Sequence, residues 1–352
     1  MTWFSPISAE EETRYRSIPK VDLHRHLEGS LRLSTLVEIA DRCQLPIAGQ
    51  EIQSMVEVRP GDPRTIQNFL SKFQALRQFY RSPEIICKIT EEAIADAAMD
   101  GVVYLELRFT PAALSSRFGC SLSEVMDWVA GAAEQASQRY SLVTRLIASV
   151  NRHEPVEIAE KVAALAAERV ERGIVGLDLA GDEAKYSCLP FAGVFHTARE
   201  SGLHITVHAG EWGGPENIQA AVESLNAERI GHGIRILEDA GVVAMVRERR
   251  IPLEVCVGSN YLSGVIPSIS AHPYPELLQE GLVVTINTDD PSIQGEKLSD
   301  EFHFLAGPLQ LPLSSILMCQ KAALRSSFLP KIEVQKLVQK YFPVWENIIR
   351  AS

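Results

Sequence analysis

The chain has no Cys-x-x-Cys pair. Its six cysteines (Cys43, Cys87, Cys120, Cys188, Cys256 and Cys319) are scattered, which argues against a thiolate zinc site or a disulfide scaffold and fits a reducing compartment. No apolar run approaches the roughly 20 residues that cross a bilayer. The opening residues Met1-Thr-Trp-Phe-Ser-Pro6 lack the basic segment and apolar core of a secretory signal. The expectation is a cytoplasmic protein with no membrane partner. Positive charge is also scarce: 34 Lys and Arg against 45 Asp and Glu leave a net charge of −11. A nucleic-acid partner is therefore disfavoured, because phosphate backbones are gripped by clustered Lys and Arg. Internal repeats, low-complexity segments and linkers are missing too, so residues 1–352 read as one domain.

What is present is an alternation. Residues 1–19 read as polar and irregular, and 46–64, with several Pro and Gly, as a surface excursion. Strands are predicted at 20–27, 101–109, 141–150, 174–179, 205–208, 229–232, 252–256 and 282–287, with helical patterns between them. The helical pattern at 65–73 places Ile66, Phe69, Leu70 and Phe73 at i, i+3, i+4, i+7. Eight strands, each followed by helix, point to an α/β fold of the TIM (β/α)8-barrel type, with extra helices after strand one and from 298 to the C-terminus. An open doubly wound sheet is the structural alternative.

In such a barrel, chemistry sits at the carboxyl ends of the strands. Strand one ends in His24 and His26, strand five in His208 with Glu211 beyond the Gly210 turn, strand six in His232, and strand eight in Asp289-Asp290. Four of nine histidines thus fall at strand ends; His153, His196, His204, His272 and His303 read as surface or packing residues. His24 and His26 are two apart, so both rings point to one face, the barrel interior. With His208 and Asp289 they make three nitrogens and a carboxylate, the ligand set of a catalytic zinc with an open position, able to activate water near neutral pH. Strand four ends Leu177-Asp-Leu-Ala-Gly181 without a bridging lysine, so one Zn2+ per chain is expected. Glu211 is the candidate general acid/base, its carboxyl kept protonated in an enclosed apolar pocket. His232, between Gly231 and Gly233, reads either as a residue that orients hydroxide or as an ordinary strand histidine. Asp290 reads as facing substrate, or as part of a turn.

These residues resemble the adenosine deaminase family of amidohydrolase barrels. The segments that carry the likeness are Val21-Asp-Leu-His-Arg-His-Leu-Glu-Gly-Ser30, Gly101-Val-Val-Tyr-Leu-Glu-Leu-Arg108, Asp178-Leu-Ala-Gly-Asp-Glu183, His208-Ala-Gly-Glu211, Arg229-Ile-Gly-His-Gly233, Asn287-Thr-Asp-Asp-Pro291 and Ser326-Ser-Phe-Leu-Pro330. The resemblance implies zinc on His24, His26, His208 and Asp289, and a purine nucleoside as the small-molecule partner. Hydroxide would add to C6 while Glu211 protonates N1, and ammonia would leave. His232 would position the hydroxide, Asp290 would bond N7, and the Gly181 N–H would face N3. Phe69, Leu70 and Phe73 would form an apolar lid; without the family they read as the buried face of an ordinary amphipathic helix.

Two positions depart from the family pattern. Glu28 stands where adenosine-specific members usually carry Asp, beside the ribose 5′ end. That keeps open a 5′-modified adenosine such as aminodeoxyfutalosine, or free adenine, beside adenosine and deoxyadenosine. Gly181-Asp-Glu183 looks like the nucleoside-type motif. Cys256-Val-Gly-Ser-Asn260 replaces the more typical Cys-Pro-Thr-Ser-Asn, and Gly258 is expected to loosen that turn with little effect on chemistry. A non-catalytic nucleoside-binding protein is the reading from another class, and Glu211 argues against it.

Overall fold

The structure is a computed structural model and describes residues 8–116 and 119–351. Its strands are β1 (Lys20–His26), β2 (Val102–Phe109), β3 (Val143–Asn151), β4 (Ile174–Ala180), β5 (His204–Ala209), β6 (Arg229–His232), β7 (Leu253–Val255) and β8 (Val284–Ile286). Each pairs in parallel with the next, in the order β1 to β8. Nearly every strand residue is buried, as parallel strands covered on both faces require. The ring closes just beyond β8: the His26 N–H donates to the Asp289 carbonyl and the Asp289 N–H to the His24 carbonyl, both at 2.8 Å. The backbone of Asp289 thus joins the last strand to the first.

The eight strands and the principal helices fall where the alternation predicts. Two stretches differ. Residues 9–17, read as irregular, form a helix (Ala9–Ser17). Only Tyr15 in it is buried, so it lacks the apolar stripe that periodicity detects. End effects hold it instead: a Ser8–Glu11 capping box, acids in its first turn, and Arg14 and Arg16 in its last. Just beyond, the Lys20 ammonium donates to the carbonyls of Tyr15 at 2.7 Å and Ile18 at 3.0 Å. The surface excursion likewise contains a helix, Gly49–Val56, which buries Ile52 and Val56.

The barrel floor is ionic. Buried Arg229 donates to Glu254 at 2.6 Å and also to Glu106. Arg108 donates to Glu254 at 2.8 Å. Buried charges are tolerable in such a place because each faces an opposite partner. Among the described residues no helix is long and apolar enough to cross a membrane.

Candidate active site

At the carboxyl ends of the strands two carboxylates fix two imidazoles. His24 Nδ1 lies 2.8 Å from Glu254, and His208 Nδ1 lies 3.0 Å from Asp178. A carboxylate accepts only, so each Nδ1 carries the ring proton and each Nε2 presents a lone pair to the interior. Burial alone would raise the Asp178 carboxyl; the hydrogen bond from His208 and the Arg108 charge outweigh it and hold it below the usual carboxylate range. His26 Nε2 is 3.3 Å from both His208 Nε2 and Asp289 Oδ1, and His24 Nε2 is also 3.3 Å from Asp289 Oδ1. The ligand atoms of His24, His208, His232 and Asp289 all lie within 4.8 Å of one another. His24 Nε2 is buried with no hydrogen-bond partner. An orphaned lone pair among other lone pairs and a carboxylate is what a divalent cation satisfies, so the residues present fit a metal. Among the described residues this is the one such group.

The backbone is shaped around this cluster. A Cβ on Gly231 would lie 3.0 Å from the His24 ring and 3.2 Å from His208 Cα, so any side chain there would crowd both imidazoles. His232 and Asp289 adopt φ of +61° and +68°, a left-handed conformation uncommon for residues other than glycine and often found at functional sites.

Glu211 follows β5 across Gly210, whose φ is +70°. One buried carboxylate, Glu183, holds the turn by accepting from the N–H groups of Gly210 (2.9 Å), Glu211 (2.7 Å) and Trp212 (2.8 Å). Burial pushes the Glu211 carboxyl well above the ordinary range, and the charges of Asp289 and Glu183 push it the same way. Its Oε2 is 3.6 Å from His232 Nε2, and its Oε1 accepts from Asn260 at 3.5 Å. Asp290 is also pushed well up, by burial and then by the charges of Asp289 and Glu28, and its Oδ1 is buried without a partner. Both shifts favour the protonated form, in which each acid can donate.

A cavity of about 220 Å³ opens over these groups, bounded by His26, Glu28, Phe69, Leu70, Phe73, Gly181, His208, Glu211, His232, Asp289 and Asp290. Its size suits one small molecule. The predicted site residues line this cavity except His24, which lies in the metal-fitting group; that group includes His232 and not His26. Glu28 accepts from the Thr110 N–H at 2.6 Å through one oxygen, while the other is buried and unpartnered. Burial raises its carboxyl to about 7.

Of the remaining histidines, exposed His153 lines the cavity mouth, and buried His272 packs against Asn260, to which it is bonded. One expectation needs correction. Gly258 does not loosen a turn: it lies in the helix Val257–Leu262, where a Cβ would sit 2.0 Å from the Glu296 carboxylate. Asp178, Glu183, Glu254 and Asn260 went unrecognised as site residues. A charged residue inside an apolar strand, as in Leu177-Asp-Leu179 and Leu253-Glu-Val255, was the available signal, since such a group needs a buried partner.

A parallel barrel with imidazoles and carboxylates gathered at its carboxyl end defines the amidohydrolase type of enzyme. The family model described as adenosine deaminase matches residues 19–342. An adenosine deaminase of Clostridium kluyveri is 35% identical over 326 residues, 92% of this chain and 93% of that protein. Among solved structures, an adenine deaminase from Arthrobacter aurescens aligns with a TM-score of 0.86 at 29% identity, covering 94% of this chain and 99% of the other. The Arabidopsis protein ADAL, complexed with IMP, aligns with a TM-score of 0.86 at 28% identity, covering 95% and 99%. The chain belongs to the adenosine deaminase family, whose members are metal-dependent.

Proposed function

We propose that this chain is a zinc-dependent hydrolase that converts adenosine and deoxyadenosine to inosine and deoxyinosine with release of ammonia. The observation that carries the reading is the buried Glu211 carboxyl, raised by its burial, on the wall of the pocket beside a group of imidazoles and a carboxylate that fits a divalent ion. A nucleoside-binding protein has no use for that donor. His24, His26, His208 and Asp289 would hold the zinc, which when bound makes hydroxide available near neutral pH.

The remaining work falls to the chain itself. Glu211 delivers its proton to purine N1, so that the ring accepts a nucleophile at C6 without building up negative charge. Asp290, its carboxyl raised by burial and its Oδ1 unpartnered, donates to N7, and the Gly181 N–H faces N3. His232 orients the attacking oxygen toward C6. Phe69, Leu70 and Phe73 cover the purine and exclude bulk water. Six unpaired cysteines, three of them buried, support placement in a reducing cytoplasm. Free adenine or a 5′-modified adenosine is the second reading, favoured by the unpartnered Glu28 oxygen on the pocket wall.

Ammonia release from adenosine, deoxyadenosine, adenine, AMP and 5′-modified adenosines tests this directly. Adenosine and deoxyadenosine should turn over fastest, lose activity on chelation and regain it with zinc. Glu28→Asp should shift the order among 5′ variants while zinc content stays fixed. No ammonia from any of these compounds in zinc-loaded protein would end the proposal.

A further inference from the structure

Behind the cavity wall a line of four groups runs outward from the metal cluster. The Tyr274 N–H donates to His272 Nδ1 at 3.0 Å. His272 Nε2 lies 3.2 Å from Asn260 Oδ1. Asn260 Nδ2 lies 3.2 Å from His232 Nδ1. His232 Nε2 then points back among the acids, 3.6 Å from Glu211 and 3.9 Å from Asp289.

The polarity of this line is fixed at its outer end, because a backbone N–H can only donate. His272 Nδ1 must accept, so in the neutral ring the proton sits on Nε2. That proton needs an acceptor, so the Asn260 atom facing it is the oxygen, and the amide NH2 is left facing His232 and Glu211. His232 Nδ1 therefore accepts, and its own proton sits on Nε2. His24 and His208 are set the other way: carboxylates hold their protons on Nδ1 and leave Nε2 bare. Rings whose centroids lie 4.9 and 5.4 Å from that of His232 are thus locked in the opposite tautomer to it.

We infer that Asn260 and His272 are positioning residues that lock His232 as an Nε2–H donor, barring it from the metal and aiming its hydrogen at the attacking oxygen. The closeness of His232 to the ligand atoms makes this assignment necessary: an unconstrained imidazole there could turn a lone pair to the ion and become a further ligand. The inference rests on the deaminase reading only for the identity of that oxygen. The tautomer is observable without turnover, so failure of the one is distinguishable from failure of the other.

The decisive measurement is the ring-nitrogen NMR spectrum of zinc-loaded protein labelled with ¹⁵N-histidine, repeated after chelation, with His232 assigned by its absence in His232→Gln. His232 should show a bare Nδ1 and a protonated Nε2 in both states. His272→Phe leaves Asn260 free to flip. It should put His232 into mixed tautomers and lower kcat about tenfold, with KM nearly unchanged and one zinc retained. His272→Gln, which keeps a donor, should recover part of the loss, and Asn260→Ala should repeat the effect of His272→Phe. A proton on His232 Nδ1 in the wild-type spectrum overturns the inference even if no variant folds. So does a His272→Phe protein whose tautomer and kcat are both those of wild type.

Discussion

A Cβ placed on Gly29 would lie 1.8 Å from Oδ1 of Asp290 and 2.6 Å from its Cβ. The first site loop therefore makes room for the last one: the aspartate after β8 stands where any side chain after β1 would go. The obstructed atoms include the root of the Asp290 side chain, so rotation cannot relieve the clash. Gly29→Ala should displace Asp290 from the cavity, lower kcat/KM about 100-fold and cost about 1–3 kcal/mol of stability, with zinc content unchanged. Gly193→Ala meets no atom within 4 Å of its new Cβ and serves as the control. Equal kinetics for the two variants would show that Asp290 needs no such vacancy.

Glu211→Gln keeps the size of the side chain and removes the proton. Turnover should fall by about 10²–10⁴-fold, the usual worth of a positioned acid or base. Metal analysis of the same sample should still find one zinc per chain. Activity near that of wild type would take Glu211 out of the mechanism.

Glu183 tests whether the loop or the carboxyl alone matters. Its three accepted N–H groups hold residues 210–212 in place. Glu183→Ala leaves all three without that acceptor and should cost about 2–4 kcal/mol in urea denaturation, hydrogen bonds to charged groups being the stronger kind. Because Glu211 rides on this loop, kcat should fall with stability, and Glu183→Gln should lie between the two. A variant that loses stability with kcat intact would restrict Glu183 to folding.

His272 predicts an acid limb to stability. Burial lowers its pKa from 6.5 to about 3. Between those values the unfolded chain binds a proton that the folded chain refuses. Its contribution is complete above pH 6.5 and is lost as pH falls toward 3, at about 1.4 kcal/mol per unit. Urea midpoints at pH 7, 6, 5 and 4 should drop more steeply for wild type than for His272→Gln. Parallel curves would refute the assignment.

The sequence by itself determined the strand–helix alternation, the closed barrel it implies, and which side chains with metal-ligand chemistry stand at the strand ends. Those are local properties: hydrophobic period, glycine turns, and spacings such as His24-x-His26 and His208-x-x-Glu211. It also supplied the Gly210 turn that carries Glu211, since left-handed backbone favours that residue. For the helix Ala9–Ser17 it offered no apolar stripe, only the Ser8-x-x-Glu11 capping pattern and end charges that hold it.

Only the tertiary structure decided what each imidazole can do. His24 takes its tautomer from Glu254, 230 residues away, and His208 takes its own from Asp178. Asn260 and His272 take part only because the segment after β7, with the helix Val257–Leu262, packs against His232. A ring nitrogen donates or accepts according to what faces its other nitrogen. That partner is set by chain closure in space, which no spacing along the polypeptide records.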